Sequence, residues 1–173
     1  MNLQFKQATI NDIQAIAELV NRAYRPTGDI KGWTHETNLI SGERTNPEQI
    51  AGLFRTNSCI LLAWDHEKMI ACVHVEIADA CAHIGMLATS TESQGLGYGK
   101  QMLAYAEAFA SQHFSIEKFT MAVILARQEL LAFYLRRGYI ATEITHEYPL
   151  SAGVGLPKVT GLRVGVLEKM ANV

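Results

Sequence analysis

The chain has 173 residues, 49% hydrophobic and 18% charged, and its 15 Lys and Arg against 17 Asp and Glu leave a formal net charge of −2. A single domain of this length buries about 70% of its unfolded surface and needs no disulfide or metal staple, which excludes disordered, collagenous and disulfide-scaffold classes. The near-neutral balance offers no electrostatic footprint for nucleic acid. MNLQFKQATINDIQ has no apolar leader and no apolar run reaches roughly 18 residues, so neither export nor a membrane span is expected. Cys59, Cys72 and Cys81 lie in apolar segments without CxxC spacing and read as reduced thiols, which makes the cytoplasm the expected compartment.

Thr9 and Asp12 form a capping signal, and Ile13, Ile16, Ala17, Val20 and Tyr24 recur at helical spacing, so the pattern predicts a helix over 9–24. Pro26 and Gly28 stop it. The connection 25–46 is polar and punctuated by Gly28, Gly32 and Gly42; so long a loop in a small domain belongs to a binding wall. Asn46-Pro47 opens a short helix through Ile50, Leu53 and Phe54. Residues 59–88 read as a three-stranded antiparallel meander with turns at Asp65–Lys68 and Asp79-Ala80. A glycine-rich loop then leads into a helix over 99–113. A strand over 119–125 follows, then a helix over 128–137 closed by Gly138, and strands over 139–145 and 162–167. The order implies one domain, 1–173, of α/β class: a mixed, mostly antiparallel central sheet flanked by helices. The strand over 162–167 could be an exposed edge inviting a homodimer.

Gln94-Gly95-Leu96-Gly97-Tyr98-Gly99-Lys100 sits between a strand and a helix, where free N–H groups and the helix dipole favour an anion. Glycine lets the backbone approach such a ligand and take positive φ. The nucleotide P-loop fails here on spacing, and the dinucleotide fingerprint fails because Lys100 stands where it needs glycine.

QxxGxG, carried by Gln94, Gly97 and Gly99, resembles the pyrophosphate loop of the GNAT acetyltransferase superfamily. GMLAT before it and VILARQELLAFYLRRGY after it are similar to that family's acyl-binding strand and tyrosine-bearing helix. The resemblance is densest from Ile84 to Tyr139. It implies the GNAT fold, acetyl-CoA as cosubstrate and a small amine as acceptor. It implies main-chain contacts to the acetyl group at Met86, Leu87 and Ala88, cofactor contacts along Gln94–Lys100, and Tyr134 near the thiol sulfur. Two positions depart from the pattern: Thr89 and Thr91 replace an aliphatic residue and a proline, and Arg127 replaces the asparagine that opens the tyrosine-bearing helix. An arginine there could bind a phosphate or an acceptor carboxylate instead.

An alkyl amine with a pKa of about 10 is only about one part in a thousand neutral at pH 7, so acyl transfer needs a base or a water chain. With Asp79-Ala80 as the turn, Glu76 falls opposite His83 and His74 shares their face, which makes Glu76 and His83 a candidate acid–base pair; a polar pair on a sheet face is the plainer reading. No ligand spacing supports a metal. On the acceptor side, Trp33, His35, Glu36 and Arg44 offer an aromatic wall with charges of both signs. Two other functions stay open: a protein or peptide acetyltransferase, and a CoA-binding sensor or scaffold without catalysis.

Overall fold

In the computed structural model, residues 3–29 and 32–171 are described. The chain runs β1 (Gln4–Gln7), α1 (Ile13–Tyr24), β2 (Ile40–Ser41), α2 (Pro47–Ala51), β3 (Ser58–Asp65), β4 (Lys68–Ala78) and β5 (Cys81–Thr89). It continues through α3 (Tyr98–His113), β6 (Lys118–Ile124), α4 (Gln128–Leu135), β7 (Ile140–Glu147), β8 (Leu156–Pro157) and β9 (Arg163–Met170). Seven strands form one sheet in the order β1-β3-β4-β5-β6-β9-β7, in which only β5 and β6 are parallel. The parallel step follows from α3, whose crossover returns the chain to the same end of the sheet.

The central strands are apolar on both faces, which requires a layer on each side. Val73, Val75 and Ile84 pack with Met102, Leu103 and Ala106 of α3 and with Phe133 and Tyr134 of α4. On the opposite face, Ile60, Leu62, Cys72 and Met86 pack with Ile16 and Val20 of α1 and Ile50 of α2. The helix expected over 9–24 is a 3-10 turn at Ile10–Asp12 running into α1, and Thr9 and Asp12 form the capping box that starts it. Asn46 caps α2 through a bond from the Gln49 amide, 2.8 Å.

The hairpin register is as the turn predicts. Asp79 and Ala80 both take positive φ, 48° and 57°, as a tight hairpin turn demands, and Glu76 pairs with His83. The register then slips between Cys72 and His74: Met86, at φ 50°, starts a bulge on β5 that leaves an extra residue opposite Val73. A non-glycine residue in this region costs about 1 kcal/mol.

The strand expected over 162–167 is not an edge. It lies in β9, between β6 and β7, and both its sides are paired, so this strand gives no support to the edge-pairing homodimer. β7 is the edge on this side of the sheet, and β1 is the other edge. Three elements escape the sequence pattern: β1, which pairs with β3 by only four residues, and the two-residue strands β2 and β8, which pair with each other. Among the described residues, no helix is long and apolar enough to cross a membrane.

Candidate functional site

β5 and β6 stay in register for three pairs, Cys81 with Lys118 through His83 with Thr120, and then separate. Beyond that point Gly85–Leu87 on one side and Met121–Ile124 on the other wall a cleft whose floor includes Leu130 and Tyr134 of α4. Main-chain groups of β5 that would have met β6 are therefore left facing the cleft. The bulge at Met86 is held from the α1 side: the Tyr24 hydroxyl donates to the Leu87 carbonyl, 2.8 Å. Burial pushes the Tyr24 hydroxyl above the ordinary phenol value, so it remains a donor.

Tyr134 is buried with its ring edge-on to Phe133 and Tyr139, at 5.1 and 6.0 Å between centroids. Its hydroxyl makes no hydrogen bond to any described residue although the side chain lines the cleft. Burial raises its pKa, against a smaller lowering by Arg127 and Arg137, and keeps the phenol neutral at physiological pH.

A second cavity adjoins the start of α3. Gln94, Gly95, Gly97, Gly99 and Lys100 line it, with Thr34, Thr89, Phe133 and Arg137. Gly95 and Gly97 take φ values of 82° and 81°, and a Cβ at either would project into open space. The loop thus presents bare main chain at the N-terminus of a 16-residue helix. Leu96 is exposed and does not line this cavity, whereas Tyr98 is buried and does, beside Lys100. Gln94 works on the loop itself: its Nε2 donates to Thr34 Oγ1, 2.9 Å, and to the Thr89 carbonyl, 3.2 Å. Its Oε1 is buried without a partner. Arg137 was not singled out from the sequence. Its guanidinium lies 3.4 Å from the Phe133 ring centroid and lines this cavity, adding positive charge to that of Lys100. The RRGY run ending α4 was the available signal, but a basic pair on a helix reads equally well as solvated.

The acceptor-side residues separate. Trp33 packs on Phe133, 5.6 Å between centroids, and lines the cavity of the glycine loop rather than the cleft. His35 bonds Thr37 and faces a shallow groove with Gln128 and Glu129. Glu36 and Arg44 do line the cleft. Glu36 is buried between two arginines, accepting from Arg25 Nη1 at 2.6 Å and Arg127 Nη1 at 3.0 Å. Arg127 also donates to the Thr34 carbonyl, 2.6 Å. The arginine expected as a cofactor contact is thus tied into the acceptor loop and organises the wall between the two cavities.

This wall continues as a roof. β2 pairs with β8, the Lys158 amide donates to the Leu39 carbonyl, 2.7 Å, and Arg25 Nη2 donates to the Val154 carbonyl, 2.9 Å. The loop 25–46 is therefore joined to the segment that follows β7, and Tyr148 and Val154 from that segment close the cleft on the acceptor side.

Glu76 faces His83 across the hairpin, but Arg55 holds its carboxylate at 2.5 Å. The bond from Arg55 lowers the Glu76 pKa, which weakens it as a base, and neither residue is among those walling the cleft. His83 lies nearer. Its Nε2 is 3.7 Å from where a Cβ on Gly85 would stand, so the ring leans over a cleft residue that has no side chain to obstruct it.

His74, on the same face, is buried. Ser58 gives its hydroxyl proton to the Leu53 carbonyl, 2.7 Å, and so accepts from His74 Nε2, 2.8 Å. Burial lowers the His74 pKa from 6.5 to about 4. A depressed histidine contributes stability that is present above its unfolded value and lost as pH falls toward the folded value. That loss amounts to about 3 kcal/mol across this window. A His74→Gln variant is expected to show a smaller drop in urea midpoint between about pH 7 and about pH 4.5 than the parent chain; an equal drop would remove His74 as the cause.

No group of three or more His, Cys, Asp or Glu suited to a metal ion occurs among the described residues. The model of the acetyltransferase (GNAT) family matches residues 13–139. Among solved structures, the chain is similar to the ribosomal-protein alanine N-acetyltransferase from Escherichia coli, with a TM-score of 0.74 at 11% identity, covering 99% of this chain and 96% of that one. It is also similar to the PaiA N-acetyltransferase from Thermoplasma acidophilum in complex with coenzyme A, with a TM-score of 0.73 at 16% identity over 98% and 99%. A chimera of the spermidine N-acetyltransferase SpeG from Vibrio cholerae and hSSAT gives a TM-score of 0.71 at 14% identity over 99% and 96%. No curated protein matches the chain.

Proposed function

The chain belongs to the GNAT acetyltransferase family, and from that premise we propose that it moves an acetyl group from acetyl-CoA to the primary amine of a small molecule by direct attack. The observation that carries this reading is the cleft between β5 and β6, with the unbonded hydroxyl of Tyr134 on one side and a roofed polar compartment on the other. The family's cosubstrate supplies an acetyl thioester.

The Gly95–Lys100 main chain at the start of α3 binds the diphosphate, helped by Lys100 and Arg137. Amides on the free side of β5, around Met86–Ala88, meet the carbonyl oxygen as negative charge develops there, an effect worth a few kcal/mol per donor. The amine nitrogen attacks the carbonyl carbon, the carbon–sulfur bond breaks, and the Tyr134 hydroxyl donates a hydrogen bond to the departing sulfur. His83, reached through water over Gly85, takes the proton that the amine releases. Glu76 is left as the electrostatic partner of His83 rather than the base. Tyr24 keeps the bulge in shape, and Trp33 belongs with the cofactor arm.

The roof favours a compact acceptor over a peptide, because β2, β8 and the bonds between their loops close the side on which a peptide strand would lie. The test is thiol release from acetyl-CoA over a panel of amines, amino acids, polyamines and peptides, with the pH profile of the best acceptor repeated in His83→Ala. Release with a small amine and loss of the acid limb in the variant is the expected result. Desolvation holds the His83 pKa below its ordinary value, so that limb falls below about pH 6.5. Release with peptides alone would overturn the acceptor class, and superimposable profiles would remove His83 as the base.

A further inference from the structure

We infer that the acceptor carries a carboxylate beside its amine, as an α-amino acid does, and that Arg44 selects it; this deepens the acetyl-transfer reading and rests on it. The cleft is unbalanced in charge. Arg44 and Arg127 line it and Arg25 stands behind, while Glu36 is the carboxylate among the described residues lining it. Both oxygens of Glu36 are engaged by Arg25 and Arg127, whose side chains, like that of Glu36, are only 7–8% exposed. Two guanidinium charges outweigh the single charge of that carboxylate, so it offers no net attraction to a second ammonium group, which disfavours a polyamine.

Arg44 is placed to receive an anion. The Asn21 side chain, on α1, accepts from the amides of Arg44 and Thr45, 2.8 and 3.1 Å, and donates to the Thr45 carbonyl, 2.9 Å, so the backbone at this point is clamped. The guanidinium lies 5.4 Å from the Tyr24 ring centroid. It makes no ion pair or side-chain hydrogen bond with any described residue, whereas Arg127 in the cleft wall and Arg25 behind it each bind Glu36 and a carbonyl oxygen. A planar, half-buried guanidinium with open donors is matched by a carboxylate accepting two bonds. The same positive surroundings favour the neutral form of the neighbouring amine, which is the form that attacks.

The test compares kcat/KM for several α-amino acids with that for their decarboxylated amines and for spermidine, in the parent chain, Arg44→Lys and Arg44→Gln. The parent is expected to prefer amino acids at least about 30-fold, the range of a charge-assisted pair. The preference should fall toward parity in Arg44→Gln through KM, with part retained in Arg44→Lys. Equal use of decarboxylated amines or spermidine by the parent, or an equal loss for both classes in Arg44→Gln, would overturn the inference while acetyl transfer stands. Acetyl-CoA binding without thiol release for any acceptor would remove the transfer reading and this inference with it.

Discussion

In Tyr134→Phe, turnover is expected to fall at least about tenfold while acetyl-CoA affinity stays within about twofold. The substitution removes one oxygen and leaves the ring, whose edge-on contacts with Phe133 and Tyr139 are aromatic rather than polar. Because the hydroxyl bonds to no described residue, nothing in the fold loses a partner, and the melting temperature should stay close to that of the parent. The phenol is neutral through the working pH range, so its contribution to a departing thiolate is a donated bond, which phenylalanine cannot make. Steady-state rates with calorimetric affinities separate the outcomes. Unchanged turnover with every amine returns Tyr134 to a packing role, and parallel loss of affinity and rate would mean that it shapes the cofactor arm instead.

Gly97→Val is expected to abolish measurable coenzyme binding with only a modest loss of stability. Gly97 caps α3 at φ 81° and ψ 6°, a conformation that costs a residue with a Cβ about 1–2 kcal/mol and a β-branched one more. Among the described residues other than its two chain neighbours, none has a heavy atom within 4 Å of where that Cβ would stand, so the fold has space for the side chain. The space is the approach to the α3 amides, and the valine methyls would fill it. Titration calorimetry with acetyl-CoA, beside a thermal melt of the variant, gives both quantities. Affinity within about threefold of the parent would show that the anion site is elsewhere.

Much of this geometry can be read from local signals. The glycine loop shows itself because strand, loop and helix are consecutive and the spacing of Gln94, Gly97 and Gly99 is short-range. The Glu76–His83 pairing follows from one turn, since two residues of positive φ fix the register of both strands until the bulge intervenes. The bulge itself leaves no periodic mark: Met86 is an unremarkable residue in an apolar run, and Tyr24, whose hydroxyl binds the neighbouring Leu87 carbonyl, is more than sixty positions away. The acceptor side is less accessible for the same reason. Trp33, Glu36 and Arg127 owe their places to pairings between loops far apart in sequence, and the two-residue strands β2 and β8 are too short to have a pattern. An exposed-looking tryptophan in a long loop signals a wall without saying which compartment it faces. The strand within β9 resembled an edge because its interior position is set by the order of the sheet, which alternation along one strand does not encode.

Arg127 stands at the first turn of the helix that bears Tyr134, and Glu36 lies in the loop that shapes the acceptor compartment. The ion pair between them yokes the half of the molecule that activates the leaving group to the half that chooses the nucleophile. Specificity here is consequently not a detachable module: a foreign loop grafted over 33–45 without an acid at position 36 would strand two buried cations and disturb the phenol as well as the acceptor. Retargeting this scaffold therefore begins with Arg44, which is only half-buried, and leaves the buried triad of Arg25, Glu36 and Arg127 to be inherited whole.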